Sequence, residues 1–464
     1  MLVYNFNERK NLSKYEYLYQ CLRSDIMNGT LTEGMKMPSK RALSAANNVS
    51  LTTVMSAYEQ LLMEGYLVSK ERSGYYVASN FIQNLRYQDV AITPPGPEFE
   101  EDWKADFASN SIVYERFPFA TWTKVMRQVL SDYHVELMKR GDFLGSKELR
   151  MEIAKYLSRN RGMTVSPDCI VIGTGIEYLY SKLIRLLPSN SVYTVENPGY
   201  RKIPLIYDEL GVHWVRTDLD KEGIKMDDLH KSGATVVHTS PEHHYPLGIV
   251  MSARRRQQLL KWLEDSPDRY IIEDDYDWEF RYQGRPIPAL YGMDYTNRVI
   301  YMNTFSKTLS PAIRISYMIL PKPLIDKYVS TANFFSNTSS NLEQYTLARF
   351  IRDGYFDRHL NRTRKYYSQH GETLLSVINN TPGFPVKEVR NMECGTHLLV
   401  KLKTKMTDEE IKEKAREKGI NVCCLSEFCI GDATAYQHTL VLNYSSMNEE
   451  SMKENIQILG EIIH

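Results

Sequence analysis

Apolar positions recur with a helical period over the N-terminal 78 residues and gather into short continuous runs beyond about residue 105. The first periodic stretch puts Leu18, Cys21, Leu22 and Ile26 on one face of a helix that begins near Lys14 and stops at Asn28-Gly29. A second short helix follows Pro38-Ser39. Asn47-Asn48-Val49-Ser50 reads as a turn, and Ser50 is placed to cap a third helix whose Val54, Ala57, Tyr58, Leu61 and Leu62 repeat at helical spacing. The other face of that helix carries Thr52, Thr53, Ser56 and Gln60. Tyr66-Leu67-Val68 and Tyr75-Tyr76-Val77 flank Lys70-Glu71-Arg72-Ser73-Gly74, which predicts a basic hairpin. Two packed helices, a capped recognition helix and a basic hairpin make a winged helix-turn-helix over residues 1–78, a fold that reads duplex DNA.

The periodic pattern fades over residues 79–104, where Thr93-Pro94-Pro95-Gly96-Pro97 and then Glu98, Glu100, Glu101 and Asp102 predict an exposed, stiff linker. Further on, apolar runs alternate with helical stretches, as in a mostly parallel sheet wrapped by helices. The predicted strands include 169–172, 191–195, 234–238, 270–272, 299–303 and 315–320. A large α/β domain is expected over residues 105–330, and a C-terminal part with a smaller α+β subdomain over 331–464.

Lysine and arginine total 57, as do aspartate and glutamate, so no overall field draws the 464-residue chain to nucleic acid and DNA contact must be local. No apolar stretch approaches the ~20 residues of a membrane helix. No secretory leader is evident either, and a cytoplasmic protein without a membrane partner is expected. The six cysteines (Cys21, Cys169, Cys394, Cys423, Cys424, Cys429) lack the paired spacing of a zinc site, so no metal is expected.

The candidate chemistry falls at the C-terminal ends of the predicted strands, where ligands collect in such sheets. The strand over 169–172 runs through Gly173-Thr174-Gly175 into a helix, so the amides of Gly175 and Ile176 form a natural phosphate seat. The strand over 270–272 ends in Glu273-Asp274-Asp275-Tyr276-Asp277, which taken alone reads as a surface charge run, a hard-metal site or a partner for a ring nitrogen. The next strand delivers the Thr304 and Ser306 hydroxyls beside Lys307, with Arg314 seven residues on for a phosphate. Phosphate cup, acid, phenol and lysine are the set that pyridoxal 5'-phosphate (PLP) needs. A lysine amine forms a Schiff base with its aldehyde, an acid keeps its pyridine nitrogen protonated, and a phenol bonds its ring oxygen.

Met37-Pro38-Ser39-Lys40-Arg41, Val49-Ser50, Thr52-Thr53-Val54, Ala57-Tyr58, Glu64-Gly65-Tyr66-Leu67 and Ser73-Gly74 together resemble the DNA-binding domain of GntR-type regulators. That resemblance implies DNA contacts from Arg41 and from Ser50, Thr52, Thr53 and Ser56, with Arg72 and Gly74 at the wing. Leu51 stands where the family commonly has an arginine after the capping serine.

Further motifs are Phe117-Pro118 with Trp122, Gly145 with Glu148-Leu149-Arg150, Asn197-Pro198-Gly199-Tyr200, Glu273-Asp274-Asp275-Tyr276 with Glu279-Phe280-Arg281-Tyr282, and Thr304-Phe305-Ser306-Lys307 with Arg314. In these the chain from about Asp106 resembles fold-type I PLP-dependent aminotransferases. It is more similar still to MocR/GabR-type regulators, which join a GntR-like winged helix to such a domain. The resemblance implies Lys307 as the aldimine lysine, Asp274 as the pyridine partner, Tyr276 as the phenol and Tyr200 as the residue stacked on the ring. By the same resemblance Gly175, Ile176, Thr304, Ser306 and Arg314 hold the phosphate. His243 matches a family histidine near the cofactor, with a structural hydrogen-bonding role as the equal alternative.

Three departures from the family pattern bear on function. Arg140 replaces a tyrosine that in relatives reaches the partner subunit's phosphate, and Lys202 replaces an arginine found in effector-binding relatives; both are candidate effector contacts. Residues 422–447 contain no arginine or lysine to clamp a substrate carboxylate, so sensing is expected over efficient transamination. The resemblance thus implies a PLP-dependent transcriptional regulator that binds a double-stranded DNA operator as a head-to-tail homodimer and senses PLP itself or an amino compound. The alternative is a catalytically active aminotransferase with an accessory DNA-binding module.

Overall fold

The computed structural model describes residues 2–10, 12–79, 103–282, 284, 287–445 and 447–463, within two compact units, Met1–Glu101 and Asp102–His464. The proline-rich and acidic linker residues 93–102 lie outside the described residues.

In the first unit Ser13 caps α1 (Lys14–Met27) through a capping box with Glu16, Ser39 caps α2 (Lys40–Asn47) and Ser50 caps α3 (Leu51–Met63). Each cap gives a backbone N–H the partner that a helix start lacks. Asn48 closes α2 at φ 49°, a left-handed conformation that asparagine tolerates, and so makes the turn into α3. Leu18 and Leu22 of α1, Leu43 of α2 and Val54, Ala57, Tyr58 and Leu61 of α3 meet in one core. β1 (Leu67–Lys70) pairs antiparallel with β2 (Gly74–Val77), Lys70 standing opposite Gly74. Arg72 at φ 56° and Gly74 at φ 112° allow the tight reversal between them.

The second unit is organised by an eight-stranded sheet. From edge to edge it runs Ile170–Gly173, Ser316–Ile319, Val299–Thr304, Tyr270–Asp274, Val236–Thr239, Tyr193–Asn197, Trp214–Asp220 and Gly223–Ile224. The five strands from Val299–Thr304 to Trp214–Asp220 are parallel, as expected, and every predicted strand overlaps an observed one. Ser316–Ile319 is antiparallel to both of its neighbours. Its connection from Thr304 carries only a short 3-10 turn, Pro311–Ile313, and without a crossover helix the chain can return only antiparallel. A four-stranded antiparallel sheet, ordered Val386–Arg390, His397–Leu402, Thr439–Asn443 and Cys423–Cys424, forms the smaller subdomain.

The two cores of this unit do not follow chain order. Ala105–Asp106 pairs in parallel with Ile420–Asn421 and Phe107 is buried in the smaller core, so the segment expected to open the large domain at residue 105 belongs to the small one. The large core also continues past residue 330, through Leu347, Phe350 and Ile351 to Phe356 and Leu360. Tyr367, Leu374 and Ile378, later in the same helix Tyr355–Asn380, enter the smaller core instead. Apolar periodicity marks such a helix without saying which of two cores each of its turns will face.

Beside the strand Tyr270–Asp274 lies a buried charge cluster. Arg161 Nη2 is 3.1 Å from Asp275 Oδ2 and 3.1 Å from Glu242 Oε2, and Arg256 Nη2 is 3.3 Å from the same glutamate oxygen. Tyr301 Oη donates to Asp275 Oδ2 at 2.8 Å. Burial works against the Arg161 charge, and Asp275 with Glu242 more than offsets it, so the guanidinium pKa lies above its ordinary value. Arg161→Leu should therefore take the cationic partner from the buried Asp275 while Glu242 keeps Arg256 and Arg281, and cost about 3–5 kcal/mol. A lower urea midpoint in equilibrium unfolding would register this, and an unchanged midpoint would refute it.

Candidate functional site

On the first unit, the start of α3 presents a cluster of hydroxyls. Ser50 Oγ accepts the Thr53 N–H at 3.1 Å and lies 2.7 Å and 2.8 Å from the hydroxyls of Thr52 and Thr53. Arg41, Ser50, Thr52, Ser56 and Arg72 are exposed, whereas Thr53 and Gly74 are half-buried. Three lysines outside the sequence-derived contact set gather at the hairpin tyrosines. Lys36 and Lys70 place their ammonium groups 5.8 Å and 4.6 Å from the centre of the Tyr76 ring, and Lys40 sits 5.0 Å from that of Tyr75. Cation–π contacts of this kind hold otherwise mobile charges at the wing. The Tyr75-Tyr76 pair on the hairpin was the available signal for them.

In the second unit the strand ends close around a cavity of about 550 Å³. Lys307, Asp274, Tyr276, Tyr200, Ile176, Thr304, Ser306, Arg314 and Lys202, scattered over more than a hundred residues of sequence, all line it. Gly175, at φ 94°, forms the turn beside them; a Cβ there would stand 2.2 Å from Arg314 Nη2, so only glycine lets the guanidinium close on this helix start. Thr304 Oγ1 accepts the Ser306 N–H at 3.1 Å and the Ser316 hydroxyl at 2.8 Å, which fixes the hydroxyl cluster below Lys307.

The Lys307 amine donates to the Asn110 carbonyl. Burial lowers its pKa to about 8, with Asp277 opposing the shift and Lys202 assisting it. Asp274 Oδ2 accepts the Tyr180 hydroxyl at 2.9 Å. Tyr180 Oη is in turn 3.1 Å from His238 Nε2, and Tyr207 Oη is 2.9 Å from His238 Nδ1. This chain of groups orients the carboxylate, and His238 itself lines the cavity. None of the three was singled out from sequence, although His238 ends a predicted strand at the level where ligand groups collect. Glu196 also lines the cavity; it accepts the Thr239 hydroxyl at 2.6 Å, and burial pushes its pKa to about 7.

Two expected contacts lie elsewhere. His243 is 3% exposed and does not line the cavity; its Nδ1 is 2.7 Å from Asp277 Oδ2 and 3.3 Å from Tyr276 Oη. Burial would lower its pKa, yet Asp277 holds it well above the usual value, and the ring stays within hydrogen-bonding reach of Tyr276. Arg140 donates to Ser336 Oγ at 2.9 Å and to the Phe334 carbonyl at 2.5 Å, and it too is absent from the cavity wall. Lysine amine, oriented acid, phenol and a phosphate cup made of guanidinium, hydroxyls and helix start are the donor set that PLP requires, and the residues present fit it.

The family described as aminotransferase class I and II matches residues 104–459, and the bacterial regulatory proteins of the gntR family match residues 14–77. The HTH-type transcriptional regulator YdeL of Bacillus subtilis is 36% identical over 460 residues, covering 98% of this chain and 97% of its own length. The HTH-type pyridoxine biosynthesis transcriptional regulator PdxR of Corynebacterium glutamicum is 28% identical over 452 residues, 96% of this chain and 94% of its own. Among solved structures, the multiple substrate aminotransferase of Thermococcus profundus superposes with a TM-score of 0.67 at 25% identity, over 78% of this chain and 91% of that one. The fold, the cavity and these likenesses agree: the chain belongs to the aminotransferase class I and II family, in the MocR-type branch of transcriptional regulators that carry a GntR-type winged helix-turn-helix ahead of the aminotransferase-like domain.

Proposed function

We propose that this regulator binds PLP in the 550 Å³ cavity, attached through Lys307, and that occupancy of the cavity alters how the winged helix engages a double-stranded operator. One observation carries the reading: a lysine of lowered pKa shares its cavity with an oriented acid and a phosphate cup. A domain kept only for dimerisation needs none of these. PLP supplies an electron-withdrawing ring and an aldehyde. Asp274 serves to keep the ring nitrogen protonated, Tyr276 to bond the ring oxygen and Tyr200 to cover the ring face. Thr304, Ser306, Arg314 and the Ile176 amide take the phosphate. Tyr276 is positioned for its part by the His243–Asp277 pair.

PLP itself is the effector favoured here. Beyond the phosphate cup the cations of the cavity wall among the described residues are Lys307, Lys202 and Arg201, and Arg201 Nη1 already lies 3.8 Å from Glu427 Oε2. A carboxylate would thus meet Lys202 without a bidentate clamp. The likeness to a regulator named for pyridoxine biosynthesis points the same way. Lys202 is the one support for an amino compound instead, and adding amines after PLP separates the two. In this proposal the protein acts in the cytoplasm as a head-to-tail homodimer whose two winged helices read two half-sites. Among the described residues no helix is long and apolar enough to cross a membrane. Coupling between cavity and DNA is expected to be ~1–3 kcal/mol.

Titrating PLP into the full chain should raise a visible absorption band that Lys307→Ala lacks, while the variant retains ligand-free DNA affinity. An undiminished band in Lys307→Ala would overturn the assignment. Attachment should accelerate as pH rises through about 8 and then level off, because only the uncharged Lys307 amine attacks the aldehyde. Stopped-flow absorbance tests this, and a rate flat across that range would count against it. Arg72→Ala should weaken DNA binding alike for all sequences and reduce the salt slope by about 1, as read by fluorescence anisotropy; an unchanged slope would remove Arg72 from the interface.

A further inference from the structure

Arg314 is the guanidinium best placed for a phosphate, yet it is already engaged. Its Nη2 lies 3.3 Å from Glu177 Oε2 and 3.4 Å from the Thr174 carbonyl oxygen. The side chains of this ion pair are half exposed, 49% for Arg314 and 47% for Glu177. Glu177 lines the same cavity as Lys307 and is the second residue of the helix Ile176–Leu186, so its carboxylate also sits at the positive end of that helix. Space there is tight: a Cβ built on Gly175 would stand 2.2 Å from Arg314 Nη2 and 3.1 Å from Glu177 Oε2. One guanidinium and one helix start therefore serve two anions, the chain's own carboxylate and the phosphate of an incoming ligand. That phosphate must either separate Arg314 from Glu177 or lie beside a like charge, and both weaken its binding.

From this juxtaposition we propose that Glu177 is an internal competitor for the ligand phosphate, which lowers the affinity of the cavity for PLP. Occupancy then follows cofactor supply, as a sensor requires, where an enzyme would keep its cofactor bound. The inference rests on the reading of the cavity as a PLP site. It concerns the phosphate end alone, since Glu177 makes no contact with Lys307 or Asp274 among the described residues.

The test compares Glu177→Gln with the unaltered full-length protein, each titrated by visible absorbance with PLP and with pyridoxal, which lacks the phosphate. The substitution keeps the shape of a half-exposed side chain, and circular dichroism verifies the fold. PLP should bind about two- to fivefold more tightly to the variant, the range for one half-exposed charge contact, with pyridoxal unchanged. Equal or weaker PLP binding by Glu177→Gln overturns the role of Glu177 and leaves the PLP site standing. Equal tightening for PLP and pyridoxal also overturns it, because the effect then lies away from the phosphate. If neither folded protein binds PLP, the reading of the cavity itself fails.

Discussion

Arg161, shared between Asp275 and Glu242, is the contact on which the geometry of the ligand cavity depends. The strand Tyr270–Asp274 leads into a run of acids, and buried carboxylates are costly unless each has a partner. Glu273 accepts the amides of Leu290 and Tyr291 at 2.9 Å and 2.8 Å, Asp275 takes Arg161 and Tyr301, and Asp277 takes His243. Asp274 alone of the four lines the cavity. Strand alternation separates Glu273 from Asp274, and Asp275 and Asp277, which follow the strand, each meet a cationic partner of their own. A register slip of one residue would turn Glu273 toward the cavity and Asp274 away from it. The charge cluster opposes that slip by tying the unused carboxylates to fixed partners.

The cavity balances charge differently at its two ends. At one end desolvation keeps the Lys307 amine poised to lose its proton near pH 8, and among the described residues no carboxylate bonds it directly. Asp274, by contrast, is oriented through a relay of Tyr180, His238 and Tyr207. At the other end a guanidinium, two hydroxyls and a helix start form the phosphate cup, with Glu177 set among them. In the proposed reading that carboxylate favours release of the ligand, which a sensor needs and an enzyme that retains its cofactor does not. The paucity of cations elsewhere on the wall, beyond Lys202 and the paired Arg201, fits the same division of labour.

Much of the architecture was legible because the signals were local. Ser50 followed by the apolar stripe of α3, and Tyr66 to Val77 broken by a Gly-containing turn, specify elements through caps and spacing that act within a few residues. The lysine motif was legible for a related reason: Thr304, Ser306, Lys307 and Arg314 come from one strand end and the turn after it. His243 was harder to place. Whether a polar side chain at a strand end points into a cavity or beneath one depends on what packs on either side, here Asp277 and Tyr276.

Sequence by itself determined the element types, the winged helix, the mostly parallel sheet and the set of groups at its strand ends, because periodicity, caps and turn residues act at short range. Tertiary structure alone decided that Phe107 belongs to the smaller core, that the helix Tyr355–Asn380 serves two cores, and that Glu177 pairs with Arg314 on the cavity wall. These outcomes depend on contacts between residues far apart in the chain, or on how a turn such as Gly175 folds one side chain back onto another. Burial and charge pairing in three dimensions settle such contacts, and no local pattern encodes them.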